Sequence, residues 1–378
     1  MNTNKRVERL REIMQEKQID LSIVMNFENQ YYFSGLKAIT YSRPIVLAID
    51  SKQLNLIIPS LEESHAKEMS NADHLYVYHE TLLKDGNGGS HLEHLQSLIS
   101  NYPSETRVGV EYSSLPVKIG NLLKDAGFEL VNLDSSIVEM RYIKDQEEID
   151  LITESGRLVS LALEQSLKQA KPGVTEMEID QFGNQALFFE ISKKHPNSTV
   201  DFFAMSPSGL DRSIMPHVFS NTRKFDENDI VIHSRQVGLN GYRAECERTF
   251  FVGQPTDKQK VAFKIAQEAQ LTALAIIKVG ITAKEVNEAA RQVFKKAGVE
   301  EYSIHRTGHG IGIGLHEEPS LRYDNDLILQ EGMVFCVEPA IYIPGVGGFR
   351  LSDTVVLTNK GTNLITEYPR DLENLIFK

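Results

Sequence analysis

The sequence predicts a two-domain α/β chain, and three observations carry the prediction. Its 378 residues exceed what one hydrophobic core ordinarily organises. Short apolar runs alternate with segments of helical periodicity through the first third. In the remainder, one helix–turn–helix phrase occurs twice, which points to a duplicated α/β half.

Taken in order, residues 4–17 place Val7, Leu10, Ile13 and Met14 at helical spacing. Leu21–Met25, Pro44–Ile49 and Leu54–Ile58 read as strands, and residues 90–100 and 115–126 as helices. Met140-Arg141-Tyr142-Ile143-Lys144-Asp145 then leads into a helical pattern from Glu147 to about Ala170. The domains are accordingly expected at 1–140 and 141–378.

The repeated phrase is Lys171-Pro172-Gly173-Val174-Thr175-Glu176-Met177-Glu178-Ile179, echoed by Lys278-Val279-Gly280-Ile281-Thr282-Ala283-Lys284-Glu285-Val286. Each copy is expected to end one long helix at its glycine and to open another with a Thr-x-x-Glu capping box. A long helix precedes both copies and a strand-rich segment follows both. Two similar halves of this kind leave a site between them.

Composition narrows the function. A hydrophobic fraction of 41% with 24% charged residues is that of a globular protein. No apolar stretch reaches membrane-span length, and Met1-Asn2-Thr3-Asn4-Lys5-Arg6 opens a charged helix without an apolar signal core. No membrane partner is expected. The net charge of −12 disfavours nucleic acid, since phosphate binding needs a basic surface. Two cysteines, Cys246 and Cys336, make no disulfide framework, and reduced thiols fit a cytoplasmic protein.

The most informative run is Gly308-His309-Gly310-Ile311-Gly312-Ile313-Gly314-Leu315-His316. Glycine at every second position lets a backbone pass close to a neighbour. In an extended segment the two histidines would face opposite ways unless the chain bends between them. Histidine and carboxylate concentrate in four further segments: His217, Gly241–Phe250, Glu338, and Gly347–Asp353.

These five segments, in order and spacing, resemble the pita-bread family of methionine aminopeptidase, prolidase, aminopeptidase P and creatinase. The resemblance covers essentially the whole chain. It implies a creatinase-like N-terminal α/β domain, a C-terminal pita-bread domain with two similar α/β halves, and a homodimer. In the family's metallopeptidases two aspartates, a histidine and two glutamates bind two divalent ions, which activate a water and polarise the carbonyl under attack. Here His309 matches the ligand histidine, Glu338 the first glutamate and Glu245 the second aspartate. The first aspartate position falls on Ser234 and the last glutamate on Ser352. Neutral hydroxyls are poor ligands for hard divalent ions. The expectation is therefore no obligatory cofactor, leaving room for a single divalent ion such as manganese on Glu245, His309 and Glu338. His233, beside Ser234, would face away in a strand and reads as packed or surface.

The resemblance to creatinase, a member that works without metal, implies further roles. His217 matches its proton-handling histidine and Glu247 the glutamate that holds the guanidinium. Tyr41-Ser42-Arg43 resembles the Phe-x-Arg that reaches a partner subunit's site, and Arg322 matches the second carboxylate-binding arginine. One departure is Leu351, which stands where creatinase has a second guanidinium-binding glutamate, so creatine itself fits poorly. Cys246, between Glu245 and Glu247, would face away from them and reads as packing.

The leading expectation is hydrolysis of a C–N bond in a small amino-acid-like or amidine-like carboxylate. His217 would move the proton, with His309, His316 and Glu338 lining the pocket. Glu245 and Glu247 would hold the cationic part, and Arg43 and Arg322 the carboxylate. The alternative is a metal-dependent Xaa-Pro dipeptidase or aminopeptidase with a reduced metal site. A third class, a binding module that has lost catalysis, is opposed by the retained histidines and carboxylates.

Overall fold

Continuous apolar runs become strands covered on both faces, and this governs the first part of the chain. The computed structural model describes residues 3–39, 42–81 and 89–378. Contacts divide them into two compact units, one up to Arg141 and one from Tyr142.

In the first unit, six strands form one mixed sheet: β1 (Leu21–Val24), β2 (Val46–Asp50), β3 (Leu54–Pro59), β4 (His74–Tyr78), β5 (Arg107–Val110) and β6 (Glu129–Asn132). Their order is β4-β3-β2-β1-β5-β6. β1, β2 and β3 run antiparallel in succession, while β4, β5 and β6 each join in parallel. β1 is buried at every position, as its run Leu-Ser-Ile-Val requires. Ile23, Val46, Ile57 and Val108 pack with Leu95 of the helix His91–Ile99 and Leu123 of the helix Val117–Asp125. Just beyond β5, Glu111 accepts from the backbone N–H of Met25 (2.7 Å) and of Asn26 (2.9 Å), and from Asn29 Nδ2 (2.5 Å). One carboxylate thus fastens the end of β1 to the start of the helix Phe27–Ser34.

The second unit opens with the helix Gln146–Leu167, near the expected bounds, followed by Glu176–Lys194. The helices Asp257–Ile276 and Ala283–Lys296 repeat that pair. Both expected capping boxes are present, on Thr175 with Glu178 and on Thr282 with Glu285. The echo extends into pairing, since Thr175 bridges Lys224 and Thr282 bridges Ile328. One detail differs from expectation. The preceding helices end at Leu167 and Ile276, so Gly173 and Gly280 lie in the turns beyond them, at φ 86° and 95°. Their positive φ serves the turn that lays the next helix back, and neither glycine caps a helix.

The strands of this unit are β7 (Val200–Met205), β8 (Asp229–Leu239), β9 (Tyr242–Val252), β10 (Gly308–Gly310), β11 (Glu317–Leu321), β12 (Val334–Val337), β13 (Ala340–Ile343), β14 (Gly347–Arg350), β15 (Ser352–Thr358), β16 (Gly361–Leu364) and β17 (Ile376–Phe377). Their main sheet runs β11-β10-β12-β15-β9-β8-β7, with β16 on β15 and β17 on β9. β13 and β14 pair separately. β8 and β9 form a hairpin paired from Asp229–Val252 to Leu239–Tyr242. It closes through Asn240 and Gly241, both at positive φ, the two-residue turn whose twist suits a hairpin. This is the α/β architecture of the expectation, with two helix pairs packed against one largely antiparallel sheet.

Candidate active site

Register decides which side chains meet. In the β8–β9 hairpin Ser234 stands opposite Glu247 and Gln236 opposite Glu245. Directly opposed residues share a face, and so do residues two apart, so all four side chains lie on one face of the hairpin. On the other side of β9, β15 brings Ser352 opposite Glu247. β10 sets His309 beside Cys336 of β12, and Glu338 follows directly on the end of that strand.

The glycine run is explained by close packing. A side chain at Gly308 would place its Cβ 2.1 Å from the carbonyl oxygen of Cys336, and one at Gly310 2.7 Å from that of Glu318. The chain does bend between the histidines, at Ile311–Leu315, and the His309 and His316 rings come to 3.9 Å between centroids.

These elements enclose a cavity of about 910 Å³ within the second unit. His217, Ser234, Gln236, Glu245, Glu247, His316, Arg322, Glu338 and Arg350 line it, together with His305 and Arg306. Apolar walls come from Phe203, Met205, Phe219, Ile304 and Leu315.

Glu245 accepts from Ser352 Oγ at 2.6 Å and from Gln236 Nε2 at 2.5 Å. Glu247 is paired with Arg350, Nε to Oε2 at 2.5 Å and one terminal nitrogen to Oε1 at 2.9 Å, and Ser234 also hydrogen-bonds to it. Arg350 donates to the Tyr342 hydroxyl at 3.1 Å, and that hydroxyl donates to His305 Nε2 at 2.9 Å. His305 Nδ1 in turn donates to the carbonyl of Arg306 at 2.7 Å. Arg306 donates to Ser320 Oγ at 3.2 Å and to His316 Nδ1 at 3.3 Å.

Burial sets the ionisation. It raises Glu338 well above the usual carboxylate range, helped by Glu245 and Glu247. Burial and Glu245 lift Glu247 to about 7 despite Arg350. Burial would raise Glu245 too, but His309 and the hydrogen bonds from Ser352 and Gln236 together hold it low. His316 is depressed to about 4, by desolvation and then by His309. His217 is lowered by desolvation and by Arg350.

One atom tests whether a metal fits. His309 Nδ1 donates to the carbonyl of Gly310 at 2.9 Å, which fixes the tautomer with a bare lone pair on Nε2. That Nε2 is buried and has no hydrogen-bond partner among the described residues. It lies 3.4 Å from Glu338 Oε1 and 3.9 Å from Glu245 Oε2. A neutral nitrogen aimed between two carboxylates is the donor set a divalent ion takes. Two overlapping groups have ligand atoms close enough for an ion: Glu245, His309 and His316, and Glu245, Glu247 and Glu338. The residues present fit a divalent metal.

The structure brings most of the expected site residues together: His217, Glu245, Glu247, His309, His316, Arg322 and Glu338 belong to one cavity or its floor. Arg322 is there with its guanidinium already bidentate on Asp324, at 2.5 and 3.0 Å. Arg43 lies in the first unit, where it pairs with Glu80 at 2.8 Å; its neighbour Tyr41 lies outside the described residues. His233 is packed, against Ser206 Oγ at 2.7 Å and Arg235 Nε at 3.1 Å. Cys246 and Leu351 are buried. Sequence reasoning missed Gln236, His305, Arg306, Tyr342 and the role of Arg350. Gln236 was findable, being two positions from Ser234 in a strand. The partners of Arg350 and Arg306 depend on separate strands and loops meeting.

A pita-bread fold whose main sheet carries a buried histidine–carboxylate cluster points to hydrolases acting on C–N bonds, and comparison with known proteins identifies the family. Residues 150–359 match the model of metallopeptidase family M24, and residues 6–143 that of the creatinase/prolidase N-terminal domain. The chain belongs to metallopeptidase family M24. It is 32% identical to the Xaa-Pro dipeptidase of Pyrococcus horikoshii, over 98% of this chain and 99% of that one. It is 30% identical to the Xaa-Pro dipeptidase of Pyrococcus furiosus, over 97% and 99%. Its structure is similar to a prolidase from Thermococcus sibiricus, with a TM-score of 0.88, 28% identity and full coverage of both chains.

These findings correct one expectation. The two serines suggested that no cofactor is needed, but a metallopeptidase family and the ligand groups around Glu245 and His309 contradict that. The physical reason is that Ser234 and Ser352 hydrogen-bond to Glu247 and Glu245 without displacing the donors around His309 Nε2, Glu245 and Glu338.

Proposed function

We propose that this chain is a divalent-metal-dependent hydrolase of small dipeptide-like substrates, of the Xaa-Pro dipeptidase kind. The observation that carries the reading is the orphaned, buried His309 Nε2 facing Glu245 and Glu338. Those three residues, with His316 beside them, would hold the ion. When bound there, a divalent ion supplies Lewis-acid activation of water and of the carbonyl it attacks. In the hydrolysis, the water oxygen bonds to the carbonyl carbon, the C–N bond breaks, and the nitrogen leaves with a proton. His217, on the cavity wall and unprotonated at neutral pH, carries that proton from the water to the leaving nitrogen. Arg306 orients His316 through its Nδ1, and the aromatic and aliphatic walls exclude bulk water around the scissile bond.

A guanidine or amidine substrate has less support. Glu247, the carboxylate expected to hold a guanidinium, is already neutralised by Arg350. The relatives named as Xaa-Pro dipeptidases favour a peptide bond as well.

The test is hydrolysis of Gly-Pro and related dipeptides by chelator-treated protein before and after manganese is restored. The expected result is activity that disappears with chelator and returns with the ion, and that His309→Ala abolishes together with metal uptake. Hydrolysis of guanidino acids but of no dipeptide, whatever the ion, would overturn the reading.

A further inference from the structure

Three arginines line the cavity, and they differ in what they are bound to. Arg350 is neutralised by Glu247, and Arg322 by Asp324. Arg306 meets only neutral acceptors, Ser320 Oγ and His316 Nδ1, and no described carboxylate lies within ion-pair distance of it. Guanidinium carries five N–H donors in a planar fork. Two are engaged here, on a half-buried side chain that lines the cavity. The two bonds it does make restrain the fork, so little freedom remains to be lost when an anion arrives. A cation left without a counter-ion on the wall of a cavity whose floor is acidic is a recognition element for an anionic end of the substrate.

We infer that Arg306 is the specificity-determining residue of this site, binding the free carboxylate of the substrate through its unengaged N–H groups, in place of Arg322. This deepens the dipeptidase reading above and rests on it for the kind of substrate. It restricts the substrate class to short molecules whose carboxylate lies within reach of the metal-binding cluster. Peptides extended or amidated at that end lack the partner. The same guanidinium contacts His316, so the bound carboxylate and the histidine pair are fixed by one group.

The experiment compares acid with amide. Binding of L-proline and of L-prolinamide to the manganese-supplied protein is measured by calorimetry. Gly-Pro and its C-terminal amide are compared as substrates, for wild type, Arg306→Gln, Arg306→Lys and Arg322→Gln. Wild type is expected to prefer each acid over its amide by about 10- to 100-fold, as a charge-assisted hydrogen bond allows. Arg306→Gln should lose that preference, with KM for Gly-Pro rising far more than kcat falls and far more than KM for the amide. Arg306→Lys should recover part of it, and Arg322→Gln should retain it. Ser320→Ala, which removes one restraint on the fork, should weaken the preference in the same direction. No preference in wild type, or a preference that survives Arg306→Gln, overturns the inference, the latter assigning the carboxylate to the ion or another residue. If Arg306 controls proline binding while no dipeptide is cleaved, the inference stands and the dipeptidase reading fails. If Gly-Pro is cleaved and Arg306→Gln harms acid and amide alike, the reverse holds.

Discussion

His309 shows how a single hydrogen bond prepares a ligand. Its Nδ1–H is committed to the Gly310 carbonyl, so the Nε2 lone pair is presented to Glu245 and Glu338. His217 stands differently: it is a cavity-wall imidazole whose proton affinity is lowered by desolvation and by Arg350. A lowered pKa means the neutral form prevails down to a pH below the ordinary value of about 6.5. The acid limb of kcat/KM is therefore expected below that pH, activity rising as pH increases through it. His217→Ala should remove this limb and reduce kcat by about 100-fold or more, the usual worth of a positioned acid–base group. A pH–rate profile of both proteins checks it, and an unchanged limb in the variant would assign the titration elsewhere.

At the scale of elements, the site depends on β10 lying close against β12 and β11. Gly308 and Gly310 permit that approach, because any Cβ there would collide with the Cys336 or Glu318 carbonyl oxygen. Gly308→Ala must push the strand bearing His309 away from β12. The expected cost is about 1–3 kcal/mol of stability, the usual range for overpacking, read as a lowered urea midpoint. Metal affinity should fall with it, because His309 moves relative to Glu338. A variant with unaltered midpoint and affinity would show that the packing is looser than these distances. The β8–β9 hairpin does complementary work, its Asn240-Gly241 turn fixing the register that sets Glu245 and Glu247 on one face.

For the whole molecule, the candidate metal ligands come from β9, β10, the loop before β11 and the end of β12, so an ion held by them would tie together both halves of the second unit's sheet. An ion that binds the folded state alone stabilises it by mass action, by about 2.7 kcal/mol at one hundred times its dissociation constant. Manganese should therefore raise the melting temperature of chelator-treated protein, and His309→Ala should abolish the rise. A melting temperature indifferent to the ion would argue against a resident metal at this cluster. Much of this architecture was legible beforehand. The helix starts at Thr175 and Thr282, the strands of the first unit, the family and the set His217, Glu245, His309, His316 and Glu338 all follow from local chemistry and motif spacing, which a linear chain displays. What the sequence by itself determined was the set of groups available, including neutral hydroxyls at Ser234 and Ser352. Only the tertiary structure decided how those groups are engaged: Arg350 on Glu247, Asp324 on Arg322, and Arg306 with neutral partners alone. Arg350 with Glu247 and Arg306 with His316 join residues on separate strands and loops, and even for the neighbours Arg322 and Asp324 whether a charge is free or neutralised depends on distances of a few ångströms.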